Sequence, residues 1–154
     1  MWIQSLSADG LKLQGEPQRL IKQDQSWEGP LVEAPTVWKH EGKYYLFYSA
    51  NGYESCNYAI GYAVADNVTG PYVKPRQGAW VASTDQVCGP GGEDIVIGPD
   101  GLPWMAYHRW EKGPRTYRSM AIDPLIWRGG IPYLLGLSNA SSPLDSTRNE
   151  TPDV

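Results

Sequence analysis

The feature that most constrains this chain is a repeat. Short apolar or alternating runs recur, each closed by Gly, Pro, Asn or Asp, and they fall into two quartets of strand-like segments. Leu31–Lys39, Lys43–Ser49, Tyr58–Ala65 and Tyr72–Lys74 form the first, with His40-Glu41-Gly42 as a tight hairpin turn. Asp94–Ile97, Pro103–His108, Tyr117–Ile122 and Leu125–Tyr133 form the second, with Gly98-Pro99-Asp100-Gly101 as its turn. Gly42-Lys-Tyr-Tyr-Leu-Phe-Tyr48-Ser49 aligns with Gly101-Leu-Pro-Trp-Met-Ala-Tyr107-His108 at an offset of 59 residues. Asp9, Asp66 and Asp123 recur at a spacing of 57, each read as the end of an apolar strand, and Ile3 and Ile60 keep the same offset. A unit of this length with four strands is the signature of a β-propeller blade.

The expected fold is therefore all-β: a partial propeller of about two and a half four-stranded blades. Residues 1–24 are the closing strands of a preceding blade, 27–77 and 78–133 are blades, and 134–154 are a polar C-terminal tail rich in Ser, Asn, Asp, Pro and Thr. Propellers close a ring with roughly 4–8 blades, so the 154 residues are expected to pair with a second copy or to follow a missing N-terminal half. Composition agrees with this class. There are 17 Gly, 13 Pro, 10 Tyr and 7 Trp beside one Phe, a turn-rich, strand-favouring set with aromatic surface of the kind sugar-binding proteins carry.

Charge excludes other classes. Thirteen Lys+Arg stand against 17 Asp+Glu, a net charge of -4, with no basic cluster, so neither nucleic acid nor an anionic membrane is an expected partner. No apolar run approaches the ~18 residues of a membrane span, and Met1–Ser5 does not read as a secretory leader. The compartment stays open: extracellular or periplasmic if a leader preceded Met1. Cys56 and Cys88 read equally as one disulfide or as two buried thiols. Two His and two dispersed Cys give no zinc spacing, and neither a Gly-x-Ser-x-Gly elbow nor a phosphate-binding Gly-Lys loop is present.

Trp27-Glu-Gly-Pro-Leu-Val-Glu33-Ala-Pro-Thr-Val-Trp38, followed by Gly42–Ser49, resembles glycoside hydrolase family 43. So do Tyr58-Ala-Ile-Gly-Tyr-Ala-Val-Ala65, Gly70-Pro-Tyr72, Gly89-Pro-Gly-Gly92 and Met105-Ala-Tyr-His-Arg-Trp110. The likeness is greatest to its arabinofuranosidase-like members and runs from Met1 to about Tyr133. It implies a five-bladed propeller with a central pocket that hydrolyses terminal α-L-arabinofuranosyl or β-D-xylosyl residues of plant polysaccharides with inversion. The expected partner is thus a pentose-containing oligo- or polysaccharide. The family uses an Asp base, an Asp that tunes the acid, and a Glu general acid. The Glu falls on Glu33, and the two Asp belong to earlier blades. No cofactor is expected. Relatives sometimes hold a central cation such as calcium, but the sequence shows no carboxylate cage for one.

Glu33 has a case of its own. In the apolar strand Leu31-Val-Glu-Ala-Pro35 a carboxylate is costly unless paired or protonated, and a carboxyl that keeps its proton is what general-acid catalysis needs. The alternative is a structural Glu paired with an Arg such as Arg118. An inverting enzyme needs a second carboxylate ~6.5–9.5 Å away. Glu93, Asp94 and Glu54 are the candidates, with a solvated turn as the alternative at the first two. Tyr53 and Tyr58 are candidates for sugar contact, with Asn51 and Asn57 for hydroxyls. Arg118 offers a guanidinium fork to hydroxyls or to the acid. His108 reads as a packed strand histidine and His40 as a solvated turn residue.

Overall fold

The computed structural model describes residues 1–111 and 113–136. Among them the one helical element is a 3-10 turn, Ser26–Glu28; everything else regular is strand. β1 (Trp2–Leu6) and β2 (Leu13–Arg19) make a hairpin. β3 (Val32–His40), β4 (Lys43–Ala50) and β5 (Ala59–Ala65) form a second antiparallel sheet, and β6 (Cys88–Ile97), β7 (Pro103–Glu111), β8 (Tyr117–Arg128) and β9 (Ile131–Leu134) a third. The chain is all-β, in three sheets.

β4 shows why the sheets stack. Side chains alternate across a strand, and here both faces are buried. Tyr45 and Phe47 join Ile60, Tyr62, Ile95, Met105, Tyr107 and Leu125 in a core between the second and third sheets. Leu46, Tyr48 and Ala50 join Ile21, Ala63, Ala65 and Tyr72 in a core on the opposite side. A run apolar at every position, Tyr-Tyr-Leu-Phe-Tyr, is what a strand sandwiched between two layers requires. The aligned hairpins have the same turn geometry: Gly42 and Gly101 both sit at φ 78, a left-handed conformation that favours glycine.

The segment before β3 is held by a buried ion pair. Glu28, fully buried, accepts from Lys74 at 2.5 Å, from the Tyr48 hydroxyl at 2.8 Å and from the N–H groups of Asp24 and Gln25. Burial alone raises its proton affinity, but these donors outweigh it and hold the carboxyl below its ordinary range.

Four expectations change. Tyr72–Lys74 is not a strand; it contributes a single bridge, Val64 to Val73, because Pro71 and Pro75 flank it and carry no N–H for a ladder. Asp123 does not end a strand: β8 runs through Asp123-Pro124, pairing first with β7 and then with β9. His40 is half-buried and stacked on Trp127, 4.4 Å between ring centres. Leu134 lies buried at the end of β9; the remainder of the expected tail, 137–154, with Asn139 and Asn149, lies outside the described residues.

Candidate active site

Glu33 sits where β3 is irregular. Its Cα pairs with Ser49 of β4, and the register slips between Glu33 and Thr36. Ala34 takes φ 52, unusual for a residue with a Cβ. Such bulges re-aim side chains. The half-buried Glu33 carboxylate accepts a hydrogen bond at Oε1 from the Tyr58 hydroxyl at 2.7 Å. Tyr58, immediately before β5, is 2% exposed, and its ring stacks on His108 of β7 at 5.6 Å. Burial and the Glu33 carboxylate push the phenol's pKa well up, so it remains a donor.

The Gly89-Pro-Gly-Gly92 stretch opens β6 with two register slips. A Cβ on Gly91 would run into the Tyr58 ring and lie 2.9 Å from Ser49 Oγ; one on Gly92, at φ +63, would lie 2.7 Å from His108 Nδ1. Glycine here lets β6 pass directly under Tyr58 and Ser49. Ser49, fully buried, accepts the Gly92 N–H at 2.8 Å and shares a 2.5 Å hydrogen bond with Glu93 Oε2. Glu93 is 3% exposed, and its Oε1 has no hydrogen-bond partner. Burial pushes its pKa up to about 8, a rise the Ser49 hydrogen bond only partly offsets. Asp94, by contrast, is exposed and accepts from Thr36 Oγ1 at 3.3 Å and from the Ile95 N–H at 2.8 Å. Thr36 also donates to the Glu93 carbonyl at 3.0 Å, tying β3 to β6 beyond the bulge.

The rim is formed by the 51–57 loop. The Cys56–Cys88 disulfide fastens it to the start of β6. The Trp110 indole donates to the Tyr53 carbonyl at 2.9 Å. The Arg118 guanidinium lies over both rings, 5.6 Å from Tyr53 and 5.5 Å from Trp110. Tyr53 is 50% exposed, so a flat aromatic face and a cation look outward together. Asn51 is turned inward: at φ 75 its amide donates to the Trp27 carbonyl at 2.9 Å and its Oδ1 accepts the Gly52 N–H. Asn57 and Glu54 are exposed.

Glu33, Tyr58 and Glu93 thus gather in one cluster, and Tyr53 and Arg118 in another beside it. Glu33 meets Tyr58 rather than Arg118. Ser49 and His108 complete the first cluster, and Trp110 the second. The signal for Ser49 and His108 was their shared position in the aligned hairpins. Burial and the Arg118 charge lower the proton affinity of His108, with Glu33 working against them, so its ring is neutral at pH 7. Among the described residues no group of three or more His, Cys, Asp or Glu is placed to hold a metal ion. A groove of about 700 Å³ between Trp80 and Tyr133 has no carboxylate in its lining, and Glu33 and Glu93 lie outside it.

A strand-borne carboxyl held by a buried tyrosine, beside an aromatic and arginine rim, is an arrangement suited to sugars. Residues 1–132 match the sequence profile of the glycosyl hydrolases family 43, and the chain belongs to that family. It is 30% identical over 116 residues to the extracellular endo-α-(1→5)-L-arabinanase 1 of Bacillus subtilis, which covers 68% of this chain and 34% of that enzyme. It is 33% identical over 99 residues to a β-D-galactofuranosidase of Aspergillus niger, 62% of this chain and 29% of that one. Among solved structures, a thermostable family-43 glycoside hydrolase superimposes with a TM-score of 0.84 at 37% identity, over 92% of this chain and 49% of the other. An endo-1,4-β-xylanase from Bacteroides thetaiotaomicron gives 0.80 at 29% identity, over 88% and 49%. The chain therefore spans about a third of these curated relatives and about half of these solved structures.

Proposed function

We propose that this chain contributes the general-acid side of an inverting glycosidase that removes terminal α-L-arabinofuranosyl or β-D-xylosyl residues from plant polysaccharides. The observation that carries the reading is Glu33: a carboxyl at a strand bulge, fixed at one oxygen by Tyr58, within a chain belonging to family 43. Glu33 protonates the departing glycosidic oxygen. Tyr53 and Arg118 receive the sugar beyond the scissile bond, the ring stacking on its face and the guanidinium binding hydroxyls. The base that activates water must reach solvent; Glu93 is enclosed, and the exposed Asp94 is engaged at one oxygen by Thr36 and the Ile95 N–H. That carboxylate is supplied from outside the three sheets, by preceding chain or by a second copy that completes a five-bladed propeller. The relatives' names, arabinanase and xylanase among them, support the pentose assignment.

The test is hydrolysis of nitrophenyl α-L-arabinofuranoside and β-D-xyloside by the purified chain and its Glu33→Gln variant. Activity that vanishes in the variant is the expected result; equal activity in both removes Glu33 from the reaction. A second reading, a carbohydrate-binding propeller module without turnover, is favoured by the rim, whose Tyr53, Trp110 and Arg118 all belong to this chain. Sugar binding by calorimetry with no hydrolysis supports it.

A further inference from the structure

Lys74 is a lysine turned inward, its side chain only 9% exposed. An ammonium group has three protons to donate, and here each has an acceptor. They go to the Lys22 carbonyl at 2.8 Å, to Asp24 Oδ1 at 2.6 Å and to Glu28 Oε1 at 2.5 Å. The preceding residue fixes its place, since the N–H and C=O of Val73 both pair with Val64 of β5. Glu28 is as fully engaged. Oε1 accepts from Lys74 and the Tyr48 hydroxyl, Oε2 from the N–H groups of Asp24 and Gln25. A carboxylate enclosed in this way is tolerated only while its cation is present.

The turn that Glu28 closes, Ser26–Glu28, holds the start of the rim loop. Asn51 leaves β4 at φ 75, and two carbonyls of the turn receive it. Its N–H donates to the Glu28 carbonyl at 2.8 Å and, less closely, to that of Leu31 at 3.2 Å; its side-chain amide donates to the Trp27 carbonyl at 2.9 Å. A Cβ on Gly29 would lie 2.9 Å from Asn51 Cγ, so the amide packs directly against the end of the turn. Asn51 Oδ1 then accepts the Gly52 N–H, and the Gly52 carbonyl accepts the Ser55 N–H and hydroxyl, which closes the loop around Tyr53. The loop therefore has two anchors. Cys56–Cys88 holds it after Tyr53, and the Ser26–Glu28 turn holds it before.

We propose that Lys74 is a positioning residue for sugar binding: through Glu28 and Asn51 it sets the place from which Tyr53, with Arg118 over its ring, meets the sugar. Without the ammonium, Glu28 keeps a buried negative charge whose remaining donors are one phenol and two backbone N–H groups. The turn must open to bring that carboxylate to water, and the carbonyls of Trp27 and Glu28 then leave Asn51. The binding half of this inference rests on the reading of the rim as the sugar-receiving surface; the link from Lys74 to Asn51 does not.

The Glu33 cluster is held separately, by the Tyr58–Glu33 hydrogen bond and the stack of Tyr58 on His108. Loss of Lys74 is therefore expected to act on affinity at the rim and to leave the placement of the acid unchanged.

Lys74→Met, close in length and uncharged, tests this on the purified chain. Calorimetry with arabino- and xylo-oligosaccharides should show affinity about tenfold weaker, the scale of one aromatic contact. In NMR spectra the Asn51 side-chain amide and the Trp110 indole N–H should shift, while the ring contacts of Tyr58 with His108 stay. Adding Glu28→Gln removes the uncompensated charge and leaves an amide oxygen for the Asp24 and Gln25 N–H groups, so the double variant should regain the affinity and both signals. If Lys74→Met does not fold, the double variant carries the test together with Asn51→Gly, which keeps the left-handed backbone, removes the amide and should weaken binding as much. Parent affinity in Lys74→Met or in Asn51→Gly overturns the proposal, and so does a double variant that stays weak. A parent chain that binds no oligosaccharide refutes the reading of the rim; the Asn51 and Trp110 signals then decide the link alone, which falls if they do not move in Lys74→Met.

Discussion

The Tyr58 hydroxyl donates to Oε1 of Glu33 at 2.7 Å while the same ring lies stacked on His108. One side chain thus aligns the carboxyl and is itself held flat by its neighbour. Tyr58→Phe keeps the stack and removes the donor. We expect kcat on nitrophenyl arabinofuranoside to fall about tenfold with KM little changed, and stability to drop by about 1 kcal/mol, the worth of one hydrogen bond. Steady-state kinetics and urea unfolding of the variant measure both.

Glu93 makes stability depend on pH. Its carboxyl ionises at about 4.5 when unfolded and at about 8 when folded, so between those values the folded chain holds the extra proton. Stability from this group is full below about pH 4.5 and is lost as pH rises toward 8. At about 1.4 kcal/mol per pH unit the loss reaches at most about 4–5 kcal/mol. Glu93→Gln should abolish that slope and be the more stable protein at pH 9, as read by urea unfolding at pH 5, 7 and 9. Parallel slopes in the two proteins would contradict it.

Gly91→Ala tests the close approach of β6. The added methyl meets the Tyr58 ring and Ser49 Oγ, and neither can retreat from a packed interior. A cost of about 2–3 kcal/mol is expected, as for other overpacked sites. Displacement of Tyr58 should show as loss of its ring contacts with His108 in NMR spectra.

Reducing Cys56–Cys88 frees a loop of sequence separation 32. The chain-entropy account gives a loss of about 3–4 kcal/mol. The same bond holds Tyr53 near Arg118, so affinity for arabino-oligosaccharides should weaken along with the melting temperature. Calorimetry with and without reductant, and on Cys56→Ser, checks the pair of effects.

The strands were legible wherever local pattern and burial agree. Lys43–Ser49 and Pro103–His108 carry apolar runs opened by Gly turns; β4 ends one residue later, at Ala50, and β7 three residues later, at Glu111. Glu33 was legible because a charge within such a run demands an explanation. Its partner was not, since Tyr58 reaches it from 25 residues further along the chain. Glu28 escaped notice for the same reason: its Lys74 lies 46 residues away. The disulfide stayed open because two cysteines do not state their distance. Asp123 misled as a strand end, because β8 runs on through Pro124, where it changes partner from β7 to β9.

That change of partner sets an order of disassembly. β8 spends its length on β7 and leaves β9 only four paired positions, Ile131 to Leu134. Outside the ladder, β9 and its turn are held by Trp80, whose indole donates to the Pro132 carbonyl, and by Tyr45, whose hydroxyl donates to that of Gly130. Under force applied at the C-terminal end, β9 parts first, pair by pair like a short zip, while the Glu33 cluster several strands away stays intact. A tether or fusion partner at the C-terminal end therefore loads this four-residue strand before the rest of its sheet.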